Sequence, residues 1–203
     1  MNNSRERRRA ETHEAILSAA YDLFCAKGYA ECSVAEIAAA AGFTKGAVYG
    51  TYESKEDLFL ALTETRTSLL AAEAAAIWEA AKPPLHPLRA LAAWMRERLQ
   101  QDRDWFLVNV EFSALAARRP HLRARRRAAL SGSVDEIARI FQIGSTRGGA
   151  SAARSVSHAV LALADGLALQ YAMDDTIDVE LVFAESAWKL LRAETGANES
   201  DRP

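Results

Sequence analysis

The sequence is poor in the residues that build disulfide scaffolds and tight turns. Its 203 residues include only two cysteines, Cys25 and Cys32, which are too few for a disulfide framework or a four-ligand zinc site. Ten glycines and five prolines, the first at Pro83, leave long stretches without a helix breaker. Because the remainder is rich in Ala, Leu, Glu and Arg, we predict an all-α protein.

Long hydrophobic runs are scarce too. No apolar run approaches the ~20 residues of a membrane span, and the Arg-rich N-terminus has no apolar segment typical of a signal peptide. The composition, 50% hydrophobic and 26% charged, is that of a globular protein. We therefore expect a cytoplasmic protein without a membrane partner.

An excess of one charge sign is also missing. The formal net charge is −2. Residues 1–58 carry seven Lys or Arg and nine Asp or Glu, which is again −2. Any role on nucleic acid must therefore depend on where the positive side chains lie rather than on their number.

Motifs for catalysis, metal ligation and nucleotide binding are absent from the sequence. His13-Glu14 lacks the second histidine of a zinc protease motif, and there is neither a Gly-x-Ser-x-Gly nor a dinucleotide-binding glycine pattern. The stretch from Gly144 to Ser151 lacks the Gly-Lys-Ser/Thr ending of a phosphate loop, so we interpret it as a connector. We predict no catalytic residue, no metal site and no cofactor.

Two helices are predicted before residue 42. The first carries an apolar stripe with helical spacing, formed by Ile16, Ala19, Ala20, Leu23 and Phe24. Gly28 is expected to end this helix. Ser33 and Glu36 have the spacing of a capping box, which opens a short second helix.

A tight turn and a very short third helix follow. Gly42 ends the second helix, Thr44 caps a third helix from Lys45 to about Thr51, and a long fourth helix begins at about Ser54. Two short helices joined by a glycine-containing turn are typical of a helix–turn–helix, whose second helix enters the DNA major groove. Val48 is the expected inward anchor, and the outward-facing residues are Lys45, Gly46, Ala47 and Tyr49.

Residues 12–58 resemble the DNA-binding domain of the TetR family of transcriptional regulators. The matching residues are Ile16, Ala19, Ala20, Phe24, Gly28, Tyr29, Ser33, Val34, Ile37, Ala38, Ala41 and Gly42, then Thr44 to Tyr49, Tyr52, and Ser54 to Leu58. The resemblance implies an all-helical homodimer of about nine helices per chain, and usually a repressor released from a palindromic operator by a small molecule. The expected domains are 1–58, a three-helix DNA-binding domain, and 59–203, a helical ligand-binding and dimerisation domain.

The resemblance also implies a set of DNA-contacting residues. The groove-facing residues would be Thr44, Lys45, Gly46, Ala47 and Tyr49, and the phosphate contacts would come from Ser33, Tyr49 and Lys55. The sequence departs from the family after Tyr49, where Gly50 and Thr51 stand in place of a large residue and a His or Asn. This departure means either that one DNA contact is lost or that a different operator is read. We keep Thr51 among the candidate DNA-contacting residues.

The first residues of the chain form a basic tail containing Arg5, Arg7, Arg8 and Arg9. We expect this tail to be flexible. In one interpretation it binds phosphate or the minor groove, which would compensate for the limited non-specific DNA affinity of the near-neutral domain. In the other it only keeps the N-terminus solvated.

Beyond a break at Lys82 to Pro84, helical patterns cover about 87–101, 103–118, 120–143, 152–172 and 178–194. The alternating residues from Trp105 to Phe112 would also fit a strand, but the absence of hairpin signals favours a helix. The last two helices carry stripes that suit a four-helix dimer interface. These stripes are Val160, Leu161, Ala164, Leu167, Ala168 and Tyr171, and Val179, Phe183, Ser186 and Leu190.

An unknown small-molecule effector would bind among apolar and aromatic side chains of the C-terminal helices. The candidates are Trp94, Trp105, Phe106, Phe112, Phe141, His158 and Tyr171. For each of them, ordinary core packing is the alternative interpretation.

Other interpretations remain open. A small helical enzyme would depend on His158 or Asp165, and a protein-interaction module would use the same folded domains without DNA. Cys25 and Cys32 are either a redox pair or small packing residues. The run Arg118, Arg119, Arg123, Arg125, Arg126 and Arg127 is either a nucleic-acid patch or, as we favour, a solvated face with interhelical ion pairs, away from the DNA-binding domain.

Overall fold

The computed structural model of the chain describes residues 2–81, 86–141 and 149–195, with the side chains of 6–81, 86–141 and 153–192. Within these residues there are nine α-helices and no strand, as predicted. The helices are α1 (Asn2–Glu31), α2 (Val34–Ala40), α3 (Lys45–Tyr49), α4 (Lys55–Ala80), α5 (Pro87–Gln101), α6 (Arg103–Ala117), α7 (Pro120–Ile140), α8 (Gly149–Met173) and α9 (Val179–Thr195).

Helix ends fall close to the predicted ones because local signals set them. Pro87 and Pro120 occupy the first turns of α5 and α7, where a missing N–H costs nothing. The segment from Trp105 to Phe112 is helical, as favoured. The connector at 82–84 lies outside the described residues, as does the part of the second connector before residue 149. Contrary to prediction, residues 149–151 already belong to α8.

Helix α1 begins at Asn2, which corrects the expectation of a flexible N-terminal tail. The Thr12 hydroxyl donates to the Arg8 carbonyl at 2.8 Å, and Arg7 pairs with Glu11 one turn later at 3.6 Å. An ion pair between side chains four residues apart, such as Arg7 with Glu11, stabilises a helix. At Gly28 the backbone leaves helical geometry, with φ 80° and ψ 168°, so the predicted end of the regular helix is confirmed there.

The chain divides into two compact units that do not follow the predicted boundary after residue 58. The first unit is Met1–Arg66 with Leu107–Arg126, and the second is Thr67–Phe106 with Arg127–Pro203. Helix α6 from Leu107 onward and the start of α7 therefore fold with the N-terminal helices.

An aromatic cluster in the first unit explains why that distant segment joins it. Phe112 of α6 is fully buried, with its ring 4.4 Å from that of Phe59 and 5.0 Å from that of Tyr29. Phe24 completes the cluster, 5.2 Å from Phe59. Phe112 was expected to contact a ligand in the C-terminal domain. Its place in this core, where it is closed off from solvent, corrects that expectation.

The second unit is built on α5, α8 and α9, which pack together. Its core includes Val160 and Leu167 of α8 and Phe183 of α9, all nearly inaccessible within one chain. These three residues were predicted to form the dimer interface, but they pack in the chain's own core. A different set of apolar side chains on the same two helices is exposed, namely Leu169, Met173, Leu181 and Val182.

The segment Ala153–Met173 of α8 is long and apolar enough to cross a membrane, judged by length and composition alone. This corrects the expectation that no such run exists. The central helix of a globular core meets the same criteria, and α8 supplies core residues here.

Candidate nucleic-acid interface

A capping box opens α2, as predicted. The Ser33 hydroxyl oxygen accepts a hydrogen bond from the Glu36 N–H at 3.3 Å, and the Ser33 N–H donates to the Glu36 carboxylate at 2.9 Å. Lys27 of α1 forms an ion pair with the same carboxylate. Hydrogen bonds from Lys27 and then Ser33 lower the pKa of Glu36 to about 2. Helix α2 is therefore tied to α1 at its first turn.

The turn between α2 and α3 depends on Gly42, which has φ 76°. The Gly42 N–H donates to the Ala39 carbonyl at 3.2 Å, and the Phe43 N–H donates to the Ala38 carbonyl at 2.8 Å. This pair of bonds is a Schellman motif, which needs a left-handed residue and so favours glycine. It ends α2 sharply enough for α3 to begin at Lys45.

Helix α3 is anchored on one side and exposed on the other. Thr44 caps it by accepting a hydrogen bond from the Ala47 N–H at 3.2 Å. Val48 is only 1% exposed, whereas Tyr49 is 45% exposed with the Lys45 ammonium 5.7 Å from its ring centre. The predicted orientation of α3 is therefore confirmed. The residues it presents to solvent are Lys45, Gly46, Ala47 and Tyr49, and Thr44 and Thr51 flank it on the exposed surface.

The next turn fixes α3 against α1. The Tyr52 hydroxyl lies 2.7 Å from Nδ1 of His13, and the two rings stack with centres 5.6 Å apart. Burial raises the pKa of Tyr52 to about 12. The end of α3 thus lies beside the N-terminal half of α1.

Lys55 occupies a position that corrects its expected phosphate contact. Its ammonium donates to the carbonyls of Tyr29 and Cys32 at 2.8 Å and of Ala30 at 3.3 Å. It also lies 4.4 Å from the centre of the Tyr29 ring. Because an ammonium group has three N–H donors, these carbonyls use all of them. Lys55 thus holds the segment from Tyr29 to Cys32, which follows the kink at Gly28.

Glu111 of α6 binds the N–H groups of the same segment, and the sequence analysis missed it. Its carboxylate accepts hydrogen bonds from the N–H groups of Tyr29 and Ala30, each at 2.8 Å. A Cβ atom on Gly28 would lie 3.1 Å from Oε2 of Glu111. No local signal points to this residue, because it is 82 positions from Tyr29.

The arginine run forms interhelical contacts, as favoured, but within the first unit rather than away from it. Arg119 pairs with Glu56 at 3.1 Å, and Arg125 pairs with Asp57. Burial raises the pKa of Asp57, but hydrogen bonds from Arg125 and Ser54 outweigh it and lower the pKa below its ordinary value. These pairs fix the acidic first turn of α4.

The second unit contains a small cavity that one of the candidate ligand contacts lines. The cavity measures about 210 Å³, and Phe141 lies in its wall. Its other lining residues are Trp78, His86, Pro87, Leu88, Trp188 and Leu191.

The other candidate ligand contacts do not line this cavity. Trp94 donates to Glu73 at 3.0 Å, and the Tyr171 hydroxyl accepts from Gln100 at 3.2 Å. Trp105 is buried and Phe106 half-buried, and His158 is exposed on α8. The sequence pattern did not distinguish these packing and surface positions from the cavity wall.

Comparison with known protein families identifies matches to both parts of the chain. Residues 16–62 match the profile "Bacterial regulatory proteins, tetR family", and residues 84–194, more than half of the chain, match "BetI-type transcriptional repressor, C-terminal". The chain belongs to the TetR family. Members of this family are transcriptional regulators, so the resemblance seen in the sequence is confirmed.

Individual relatives support the family over different lengths. The chain is 48% identical over 50 residues to the HTH-type transcriptional repressor BepR of Brucella suis, and 43% identical over 58 residues to the HTH-type transcriptional regulator AcrR of Shigella flexneri. These matches cover 25% and 29% of this chain and about a quarter of each relative, 24% and 27%. A solved structure of FadR from Bacillus subtilis in complex with stearoyl-CoA shares the fold, with a TM-score of 0.63 at 19% identity over 88% of this chain and 96% of that one.

Proposed function

We propose that this protein is a homodimeric, sequence-specific DNA-binding repressor that a small, largely apolar ligand releases from its operator. The observation that carries the proposal is α3, whose Val48 is buried while Lys45, Gly46, Ala47 and Tyr49 face solvent. A short helix with small exposed residues approaches base edges closely, and Lys and Tyr are able to bind phosphate or bases. Such a protein acts in the cytoplasm, where chromosomal DNA is accessible.

Dimerisation is supported by the exposed apolar side chains on α8 and α9. Met173 is 75% exposed and Leu181 is 54% exposed, and Leu169 and Val182 add to the same two helices. Burying this surface against a second copy would remove it from water. A two-fold dimer presents two α3 helices, so its operator should be close to palindromic.

A ligand of limited size fits the second unit. The cavity of about 210 Å³ is smaller than the ~300–1,000 Å³ of most small-molecule sites, and aromatic and aliphatic side chains form most of its wall. For scale, a cavity of about 150 Å³ holds benzene. The fold neighbour FadR binds stearoyl-CoA, but at 19% identity it supports only the general idea that this fold accommodates an apolar ligand.

Selection from random duplex DNA, followed by footprinting, tests the proposal. We expect enrichment of a near-palindromic site. Tyr49→Ala is expected to weaken binding about tenfold, the scale of losing one specific contact. Tyr49→Phe separates the hydroxyl from the ring. Binding without sequence preference at low salt would contradict the proposal, and a stable protein complex in its place would favour an interaction module.

A further inference from the structure

The lysines of the first 58 residues are mostly occupied within the protein. Three occur there, namely Lys27, Lys45 and Lys55. Lys27 forms an ion pair with Glu36, and Lys55 is bound to three carbonyls. Only Lys45 lies on the exposed face of α3. Because phosphate neutralisation supplies much of the affinity for DNA, further cations are needed near α3.

Helix α1 contacts the end of α3 at His13. His13 of α1 contacts Tyr52, which follows Tyr49 by three residues, with Nδ1 and the hydroxyl 2.7 Å apart. Side chains on a helix tilt toward its N-terminus, so the turn that precedes His13 adjoins this contact. The residues of that turn therefore lie beside the end of α3 that Tyr52 follows.

Helical register distinguishes the two neighbouring arginines in that turn. Arg9 precedes His13 by four residues, which places it about 40° away around the helix and about 6 Å further along it. Arg8 precedes His13 by five residues and lies about 140° away, on the opposite face. Both side chains are exposed. The hydrogen bond from Thr12 to the Arg8 carbonyl, at 2.8 Å, shows that the helix is formed through these residues.

We propose that Arg9 binds a DNA phosphate at the edge of the major groove that α3 enters, so that the start of α1 is a second part of the DNA-binding surface. The major groove is only about 12 Å wide, so residues that flank a helix inside it lie close to the phosphates along its borders. A guanidinium group binds phosphate through two parallel hydrogen bonds. The inference rests on the proposed function and extends it to a residue outside the helix–turn–helix.

The matched variants Arg9→Ala and Arg8→Ala test this inference. They remove the same side chain from adjacent exposed positions and change the net charge equally. Binding to the selected operator is measured by fluorescence anisotropy between about 50 and 200 mM salt. For Arg9→Ala we expect weaker binding, with a slope of log K against log salt that is smaller by about 0.9 per protomer, or about 1.8 per dimer. Arg8→Ala should leave the slope unchanged.

Two further variants sharpen the result. Arg9→Lys keeps the charge and should restore the slope. Glu6 precedes His13 by seven residues and lies on the same face, so Glu6→Gln should strengthen binding. Equal slopes for Arg9→Ala and Arg8→Ala would overturn the inference and leave the proposed function intact. A wild-type protein without sequence preference would instead overturn the proposed function.

Discussion

Removing the Glu111 carboxylate is expected to destabilise the segment from Tyr29 to Cys32, after the kink in α1, and to weaken DNA binding as a consequence. The carboxylate accepts two hydrogen bonds at 2.8 Å, from the N–H groups of Tyr29 and Ala30. A hydrogen bond to a charged group contributes about 1.5–3 kcal/mol. Because Ala30 is exposed and its N–H regains water, we take the lower part of that range and expect Glu111→Ala to cost about 2–4 kcal/mol.

Hydrogen exchange measures this loss where it occurs. A local cost of about 2–4 kcal/mol should speed exchange of the Tyr29 and Ala30 amides by at least about 25-fold, since 1.4 kcal/mol corresponds to a factor of ten. In a chain of this size, the melting temperature should fall by roughly 4–16 °C. Glu111→Gln keeps one acceptor oxygen and should show an intermediate effect. Unchanged exchange together with a stability change below about 0.5 kcal/mol would refute the reasoning.

The glycine beside Glu111 provides an independent check. Gly28 has φ 80° and ψ 168°, a region that essentially only glycine adopts, and an added Cβ would lie 3.1 Å from the Glu111 carboxylate. Gly42 has φ 76°, but no other group lies within 4 Å of its Cβ position. Gly28→Ala should therefore cost less in a Glu111→Ala background, whereas Gly42→Ala should cost the same in both. Equal costs for Gly28→Ala in the two backgrounds would contradict the packing described.

Three further predictions concern the same unit. Lys27→Met should raise the pKa of Glu36 from about 2 toward its ordinary value, and an NMR titration measures this change. The ionised Glu36 stabilises the fold above its unfolded pKa, and this stabilisation is lost as the pH falls toward 2. The variant should therefore begin to unfold at a higher pH than the wild type. Burial raises the pKa of the Cys32 thiol, so iodoacetamide should label it at neutral pH only after unfolding, and rapid labelling of the native protein would contradict this. Thr44→Ala should cost about 1 kcal/mol and weaken DNA binding without changing its salt dependence, whereas Thr44→Ser should be nearly neutral.

The parts of the structure that follow from nearby residues were predictable. The capping box at Ser33, the turn at Gly42 and the cap at Thr44 each depend on partners within five residues. Val48 is the buried residue of α3, and placing it toward the core leaves the other residues of this helix exposed. The exposed face was therefore predictable too. These local signals also carry the family resemblance, which is why the fold class and the family were predicted correctly.

The roles of individual side chains were less predictable when they depended on distant partners. Lys55 was expected to bind phosphate, but the carbonyls that hold it are 23 to 26 residues away. Phe112 was interpreted as a ligand contact, yet it packs on Phe59 and Tyr29. Helical periodicity indicates that a face is buried but not what buries it, so Val160, Leu167 and Phe183 were assigned to a partner although they pack in the chain's own core.

The sequence by itself determined the helices, the helix–turn–helix and the exposed face of α3, because hydrogen bonds and caps between near neighbours specify them. Only the tertiary structure decided that Lys55 binds the carbonyls and Glu111 the N–H groups of the segment after Gly28, and that α6 and α7 contribute to the first unit. Those assignments depend on which charged and aromatic groups meet after the chain folds. Distances in space, rather than spacing along the chain, set their energies.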